Sequence, residues 1–339
     1  MRFSTSAFAP ACTSPNHCGA DPLRLYPDAS GGEATVTRYR VFPGMELDYR
    51  DVHARACREL RDGSGERLEI HHCLEGRVEY RQNGRYFYLS PGDLAVARTS
   101  SLPPDSRFPT GHYHGITVTI DPAAAPECLS CILSDVEVRP ATLMEKLCPG
   151  GTVFTARSSR RVKHVFSELY AVPEDIRKGY LKVKLLELLL FLSTLSPEDG
   201  QTPHGCTAAQ VSLAEQVKAR LLAEPDRTLT LKSLSQQFNV SEAQIKSSFT
   251  GVYGMSPAAY ARSQRMHGAA ALLRETDRTV LDIACQFGYD NASKFARAFR
   301  DVIGVSPREY RAGAEYDSCA PQLGEKPGSL SDADAERRI

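Results

Sequence analysis

The chain of 339 residues has no tryptophan, only five methionines and no long hydrophobic run. Its most apolar stretch, Leu185 to Leu195, contains Glu187 and is eleven residues long, against the ~20 that a membrane-spanning helix needs. A membrane partner is therefore not expected. Residues 1–20 lack an apolar signal core and hold scattered prolines and cysteines instead, which is not the pattern of a secretory signal. The ten cysteines form no compact framework and read as reduced thiols of a cytoplasmic protein. Neither sign of charge dominates, with 41 Lys and Arg against 41 Asp and Glu, so the whole-chain balance gives no hint of a polyanionic partner. There is no Ser/His/Asp signature, no phosphate-binding glycine loop and no paired-carboxylate motif. No catalytic residue and no cofactor is assigned, and no enzyme activity is expected. The 42% hydrophobic content argues against a disordered or collagen-like chain.

What is present suggests two globular domains, at ~100–200 residues each. The zero balance hides an asymmetry. Residues 226–310 carry 11 basic against 8 acidic residues, the tail 311–339 has 4 against 6, and the rest has 26 against 27. Residues 1–32, rich in Pro, Ser, Gly and Ala, read as a mobile lead-in. From 33 to 125 the chain reads as short strands and turns: Leu68, Ile70, His72 and Leu74 alternate with Glu69, His71 and Cys73; Asn83-Gly84 marks a tight hairpin; and Pro91-Gly92-Asp93 marks another turn. Many short strands at regular spacing suit a small β-barrel or jelly roll.

Residues 126–196 turn helical. Ser158 or Ser159 can cap one helix, and Pro173, Glu174 and Asp175 start a second. The second carries Leu181, Leu185, Leu188, Leu192 and Leu195 at alternating spacings of four and three. Ile176, Tyr180, Val183 and Leu190 lie on another side. One stripe can dock on the barrel while the other meets a partner helix, or both belong to one core. The leucine series is assigned to homodimerisation. Residues 197–209 read as a linker, and 312–339 as a mobile tail.

An internal repeat lies between 210 and 311. Phe249, Val252, Gly254, Ser256, Pro257 and Tyr260 recur as Phe299, Val302, Gly304, Ser306, Pro307 and Tyr310, fifty positions on; Leu231, Leu234, Phe238 and Val240 recur as Val280, Ile283, Phe287 and Tyr289, forty-nine positions on. Each copy reads as helix, turn, helix. Asn239 and Gly288 suit the turns, while Ser241 and Asn291 cap the second helices. Those helices expose Ala243, Lys246 and Ser247 in the first copy, and Ala292, Ser293, Lys294 and Arg297 in the second. A short helix with a small and basic face can enter the major groove and contact base edges. Between the copies, a helix from about Pro257 to Arg274 spans ~27 Å, close to the ~34 Å of one DNA turn. Arg262 and Arg265 on it, with Ser241 and Asn291, are candidates for the DNA backbone.

These residues resemble the AraC/XylS family of bacterial transcription regulators. The most specific stretch is Ile283-Ala284, Gly288-Tyr289, Ser293, Phe295, Phe299, Gly304, Ser306-Pro307 and Tyr310-Arg311. The resemblance implies an all-α domain with two helix-turn-helix motifs joined by a long helix, binding double-stranded DNA through the seven outward residues just named. The small Ala243 and Ala292 imply contact with a thymine methyl at most. Cys73-Leu74-Glu75-Gly76 with Pro91-Gly92-Asp93 resembles the family's cupin-like sensor. That implies an α+β chain with a small-molecule effector in the N-terminal barrel, dimerisation through the helical pair, and RNA polymerase as a further partner open to such a regulator. The alternatives are a metal-dependent cupin enzyme fused to a DNA-binding domain, and a regulator without a ligand.

On the parity of the strands, His112 and His114 share the face of Ile116, Val118 and Ile120, and His72 that of Ile70 and Leu74; this face is expected to point into the barrel. A glycine at 115 can break the parity with a bulge. The three imidazoles suit a polar effector, a metal, or ordinary core packing. Tyr80, Tyr86 and Arg98 complete the effector candidates. The His-x-His and nearby Glu of cupin metal sites are missing after His71-His72, so no metal is assigned. Cys128 and Cys131, with Cys148 farther on, have the spacing of half a zinc or redox site but lack a second pair and read as reduced thiols.

Overall fold

The computed structural model describes residues 20–24, 26–27, 31–58, 65–126, 138–200, 205–223 and 229–313. Residues 1–19 and 314–339, most of the expected lead-in and tail, lie outside these, as do Cys128 and Cys131. The described part is mixed: an N-terminal region of two antiparallel sheets with helices, then a helical C-terminal region.

The strands are β1 (Ala20–Arg24), β2 (Tyr26–Pro27), β3 (Glu33–Phe42), β4 (Met45–His53), β5 (Ala56–Arg58), β6 (Leu68–Gly76), β7 (Val78–Gln82), β8 (Arg85–Leu89), β9 (Leu94–Arg98), β10 (Asp105–Arg107), β11 (Tyr113–Ile120) and β12 (Phe154–Ala156). One sheet has the order β1-β3-β4-β11-β6-β9-β12, the other β2-β5-β10-β7-β8. The hairpin between β7 and β8 turns at Asn83 and Gly84, both with positive φ (50° and 72°), the two-residue geometry that matches the twist of paired strands. The strand-free reading of residues 1–32 needs correction at its end. β1 pairs with β3 and β2 with β5, because open sheet edges supply the backbone partners that composition does not reveal.

Two cores enclose the seven-stranded sheet. Between the sheets pack Val36, Val52, Cys73, Ala95, Ala97 and Tyr113 from one side, and Val78, Tyr80 and Leu89 from the other. On the opposite face, Leu68, Ile70, Ile116, Val118 and Ile120 meet three helices: α1 (Pro140–Leu147), α2 (Arg160–Ser167, capped by Ser159) and α3 (Arg177–Thr194). The expectation that this face points into a barrel is thereby overturned. Alternation places Ile116, Val118, Ile120, Ile70 and His72 together, but they face the helices. Glu69, His71 and Thr117 face the other sheet.

The leucine series is corrected as well. Leu181, Leu185, Leu188 and Leu192 of α3, and Leu195 beyond it, are at most 8% exposed within this single chain. They seal α3 onto the sheet, and a face already buried cannot also hold a partner helix. The second stripe is the outward one, with Ile176 54% and Val183 63% exposed.

The C-terminal helices are α4 (Ala208–Ala223), α5 (Leu231–Phe238), α6 (Glu242–Tyr253), α7 (Pro257–Glu275), α8 (Val280–Gln286), α9 (Ala292–Ile303) and α10 (Pro307–Arg311). They build two cores. Val217, Leu234, Ile245, Phe249 and Tyr260 anchor the first, and Met266, Leu273, Ile283, Phe295 and Phe299 the second. α7 contributes to both. The two regions meet along β8: Tyr86 and Cys206 exchange backbone hydrogen bonds of 2.9 and 2.8 Å, Tyr88 enters the first helical core, and Arg77 Nη2 donates to Gly251 O at 3.1 Å.

Candidate nucleic-acid interface

The repeat in the sequence is a repeat in space. α5 ends at Asn239 in the left-handed region (φ 52°), and Ser241 Oγ accepts from Gln244 N to start α6. After α8, Gly288 takes the left-handed turn (φ 78°), and Asn291 Oδ1 accepts from the backbone of Ser293 and Lys294 to start α9. Both second helices end on a left-handed glycine, Gly254 or Gly304, followed by a serine cap and a proline at the first position of the next helix. Asp290 is the additional residue in the second turn, and it accounts for the change of offset from forty-nine to fifty.

α6 buries Ile245, Ser248, Phe249, Val252 and Tyr253, which leaves Ala243, Lys246 and Ser247 exposed. α9 buries Phe295, Ala298, Phe299 and Ile303 and exposes Ala292, Ser293, Lys294 and Arg297. Ser247 Oγ donates to its own helix at Gln244 O, 3.1 Å away, so that hydroxyl keeps only its acceptor role. Lys294 Nζ lies 3.6 Å from Asp290, an exposed pair that a phosphate or base can displace at little cost. Arg262 is exposed on α7, whereas Arg265 is half-buried with its Nε enclosed by protein. Ser241 and Asn291 are exposed but engaged as caps. Gln244 and Arg300, both exposed on the same helices, were not among the candidates read from the sequence; each lies three positions from one of them, Ser247 or Arg297, the helical spacing that shares a face.

The effector candidates do not converge. His72 stacks on Phe166 of α2 (4.1 Å between centroids, 7° between planes), and its Nδ1 lies 2.8 Å from Tyr170 Oη. Burial pushes its pKa down to about 3. Tyr80 lies in the core between the sheets, edge-on to His71. Tyr86 is at the junction with the helices. Arg98 donates to Cys148 O at 2.9 Å and pairs with Glu145 of α1 at 2.8 Å. His112 precedes β11, and His114 approaches Asp51 at 3.4 Å. Among the described residues, a pocket between the sheets, lined by Arg50, Glu69, His71, Tyr80 and Tyr113, has ≈ 20 Å³, about one water molecule. A cleft of ≈ 550 Å³ opens instead where the sheets meet α4 and α6, with Arg55, Arg107, Tyr88, Lys218 and Tyr253 on its walls. Burial and the Arg55 charge push the Lys218 ammonium down to about 8. Cys148 is buried and free. Among the described residues no helix is long and apolar enough to cross a membrane.

Comparison with known proteins agrees with the helical geometry. A family model described as a helix-turn-helix domain matches residues 234–313. The chain is 36% identical over 259 residues to the uncharacterized HTH-type transcriptional regulator YdiP of Escherichia coli, covering 74% of this chain and 82% of that one. It is 32% identical over 93 residues to the transcriptional regulator Rob of Salmonella typhimurium (27% and 32% covered). With a putative AraC-like transcription regulator of Streptomyces lividans it shares 29% over 130 residues (37% and 43% covered). The chain thus spans a third to two fifths of the length of these last two relatives. The helix pairs and these matches define the class, a chain with a helix-turn-helix domain of the transcription-regulator type. More specifically, the chain belongs to the AraC family.

Proposed function

We propose that the protein is a sequence-specific regulator in which both helix pairs are DNA-reading motifs, α6 and α9 entering successive major grooves with α7 as the spacer. The observation that carries this reading is the repetition of one geometry at α5/α6 and α8/α9, with small and basic residues exposed on both second helices. Ala243, Lys246 and Ser247, with Ala292, Ser293, Lys294 and Arg297, face the bases; Arg262 and the amino ends of α6 and α9, at Ser241 and Asn291, face phosphates. The nineteen residues of α7 give a length of ~28 Å, which supports the spacing. The chain divides into an N-terminal cupin-like sensor, a docking segment and this domain, and it works in the cytoplasm, where its DNA is.

Arg297 has the geometry for a bidentate contact to guanine. Arg297→Ala is expected to weaken specific binding by ~1–3 kcal/mol, read by fluorescence anisotropy on a site selected from random duplexes. An unchanged affinity and footprint would remove Arg297 from the interface.

The effector reading moves with the observed volumes. The cleft of ≈ 550 Å³ between the sheets and α4/α6 has the size of a small-molecule site, unlike the pocket of ≈ 20 Å³ between the sheets. Arg55, Arg107 and Lys218 outnumber Glu79 and Glu215 on its walls, and with the tyrosines they favour a small organic anion with an apolar body. A ligand there touches Val252 and Tyr253 of α6 and would shift the population of DNA-competent chains through its differential affinity for the two arrangements. Thermal-shift screening of organic acids, with Lys218→Met as control, tests this: a hit that survives the substitution argues against the cleft.

A further inference from the structure

The helix-covered face of the seven-stranded sheet continues past Tyr49 on β4 and Ile116 on β11, beyond the cover of α2 and α3. The next residues on that face are polar: Asp51 and His53 on β4, two apart and so on one side, and His114 on β11, directly opposite Asp51 in the strand register. Asp51 Oδ1 lies 3.0 Å from His53 Nε2 and 3.4 Å from His114 Nδ1. The two imidazoles stand edge to face with centroids 5.3 Å apart. One ligand atom from each of the three residues lies within 4.8 Å of the other two.

We propose that Asp51, His53 and His114 form a binding site for a divalent transition-metal ion of the Zn²⁺ type, on the outer face of the sheet. Two imidazoles and one carboxylate are a borderline donor set that suits Zn²⁺, Co²⁺ or Ni²⁺ better than Mg²⁺ or Ca²⁺. Ligand atoms at ~2.0–2.2 Å from a shared ion stand at most ~4.4 Å apart, so small rotations of these side chains close the site. The backbone beneath them is stiff, since β4 is paired on both sides, with β3 and β11. Side-chain exposures of 36% for His53, 16% for Asp51 and 12% for His114 leave a path for a hydrated ion and an open fourth position. Glu33 faces His53 across β3, and Glu75 faces His114 across β6; both add negative charge around the ligands. His112 is in electrostatic contact with His53, His114 and His267 of α7. This site is separate from the space between the sheets, where Glu69 and His71 pair with each other.

The full-length chain, stripped with EDTA and titrated with Co²⁺, is expected to take up one equivalent with visible ligand-field absorption, bleached by one equivalent of Zn²⁺. His114→Ala and Asp51→Asn are expected to abolish that absorption and weaken uptake at least ~tenfold, while His164→Ala, on the solvent side of α2, leaves both unchanged. Asp51→Asn keeps the side-chain shape, and far-ultraviolet circular dichroism of each apo variant checks that it folds. Absence of a saturable Co²⁺ signal overturns the proposal. So does a signal that persists in folded Asp51→Asn, or thiolate charge-transfer bands that place the ion on cysteine.

Discussion

His72 shows how one side chain links packing to pH. Its ring is pressed against Phe166 and hydrogen-bonded with Tyr170, and burial lowers its pKa to about 3, against ~6.5 in an unfolded chain. Below pH ~6.5 the unfolded chain binds a proton that the folded one refuses, so the stability contributed by the neutral ring is present above that pH and lost as pH falls towards 3. Between pH 6.5 and 5 this group alone is expected to remove ~2 kcal/mol, read from urea unfolding at a series of pH values. His72→Phe keeps the stacking and should flatten that part of the curve; an equal acid loss in the variant would assign it to other groups. The sequence already placed His72 with Ile70, because alternation decides which residues share a face. Alternation is silent about which face is inside when both are covered, and β6 is buried on both, so the expected ligand residue is a packing residue. Asp51 and His53 were passed over for a related reason: their partner His114 is some sixty residues away, and only strand register joins them.

At the scale of elements, α3 separates two roles that its spacing leaves merged. Leucines four and three apart fit a sheet as well as a partner helix. The sheet takes them because Leu68, Ile70 and Val118 offer an apolar face within the same chain. Leu188→Ala is therefore expected to cost ~2–5 kcal/mol of folding stability without changing the molecular mass by light scattering. Dissociation at unchanged stability would return the leucines to an interface between chains. Val183→Asp, on the exposed side, should alter stability by less than ~0.5 kcal/mol. The helix pairs α5/α6 and α8/α9 were far more legible. Duplication doubled each signal, and caps such as Ser241 and Asn291 mark helix starts through local hydrogen bonds that need no tertiary partner. β1 and β2 were invisible because their pairing is set by β3 and β5, not by their own composition.

For the whole molecule, the junction along β8 matters most. Arg77, from the sheet region, donates to the carbonyl of Gly251 near the end of α6, Lys218 donates to Pro109 O at 3.0 Å, and Tyr88 shares a core with α4 and α6. Removing the charged donor with Arg77→Ala is expected to loosen this junction by ~1.5–3 kcal/mol. Hydrogen exchange should then accelerate at least ~tenfold in residues 205–211 and 249–254 and stay unchanged in α8 to α10. Uniform acceleration would instead mean global destabilisation. None of this was readable beforehand: Arg77 and Lys218 are ordinary surface residues in a sequence, and a net charge of zero conceals the basic surplus of the helical part. That part carries its two exposed second helices, α6 and α9, in tandem along one chain, and Asp290 makes their turns unequal, so no twofold axis relates them. On the reading proposed above, a duplex gripped by both has a head and a tail, and a single bound protomer points in one direction along it.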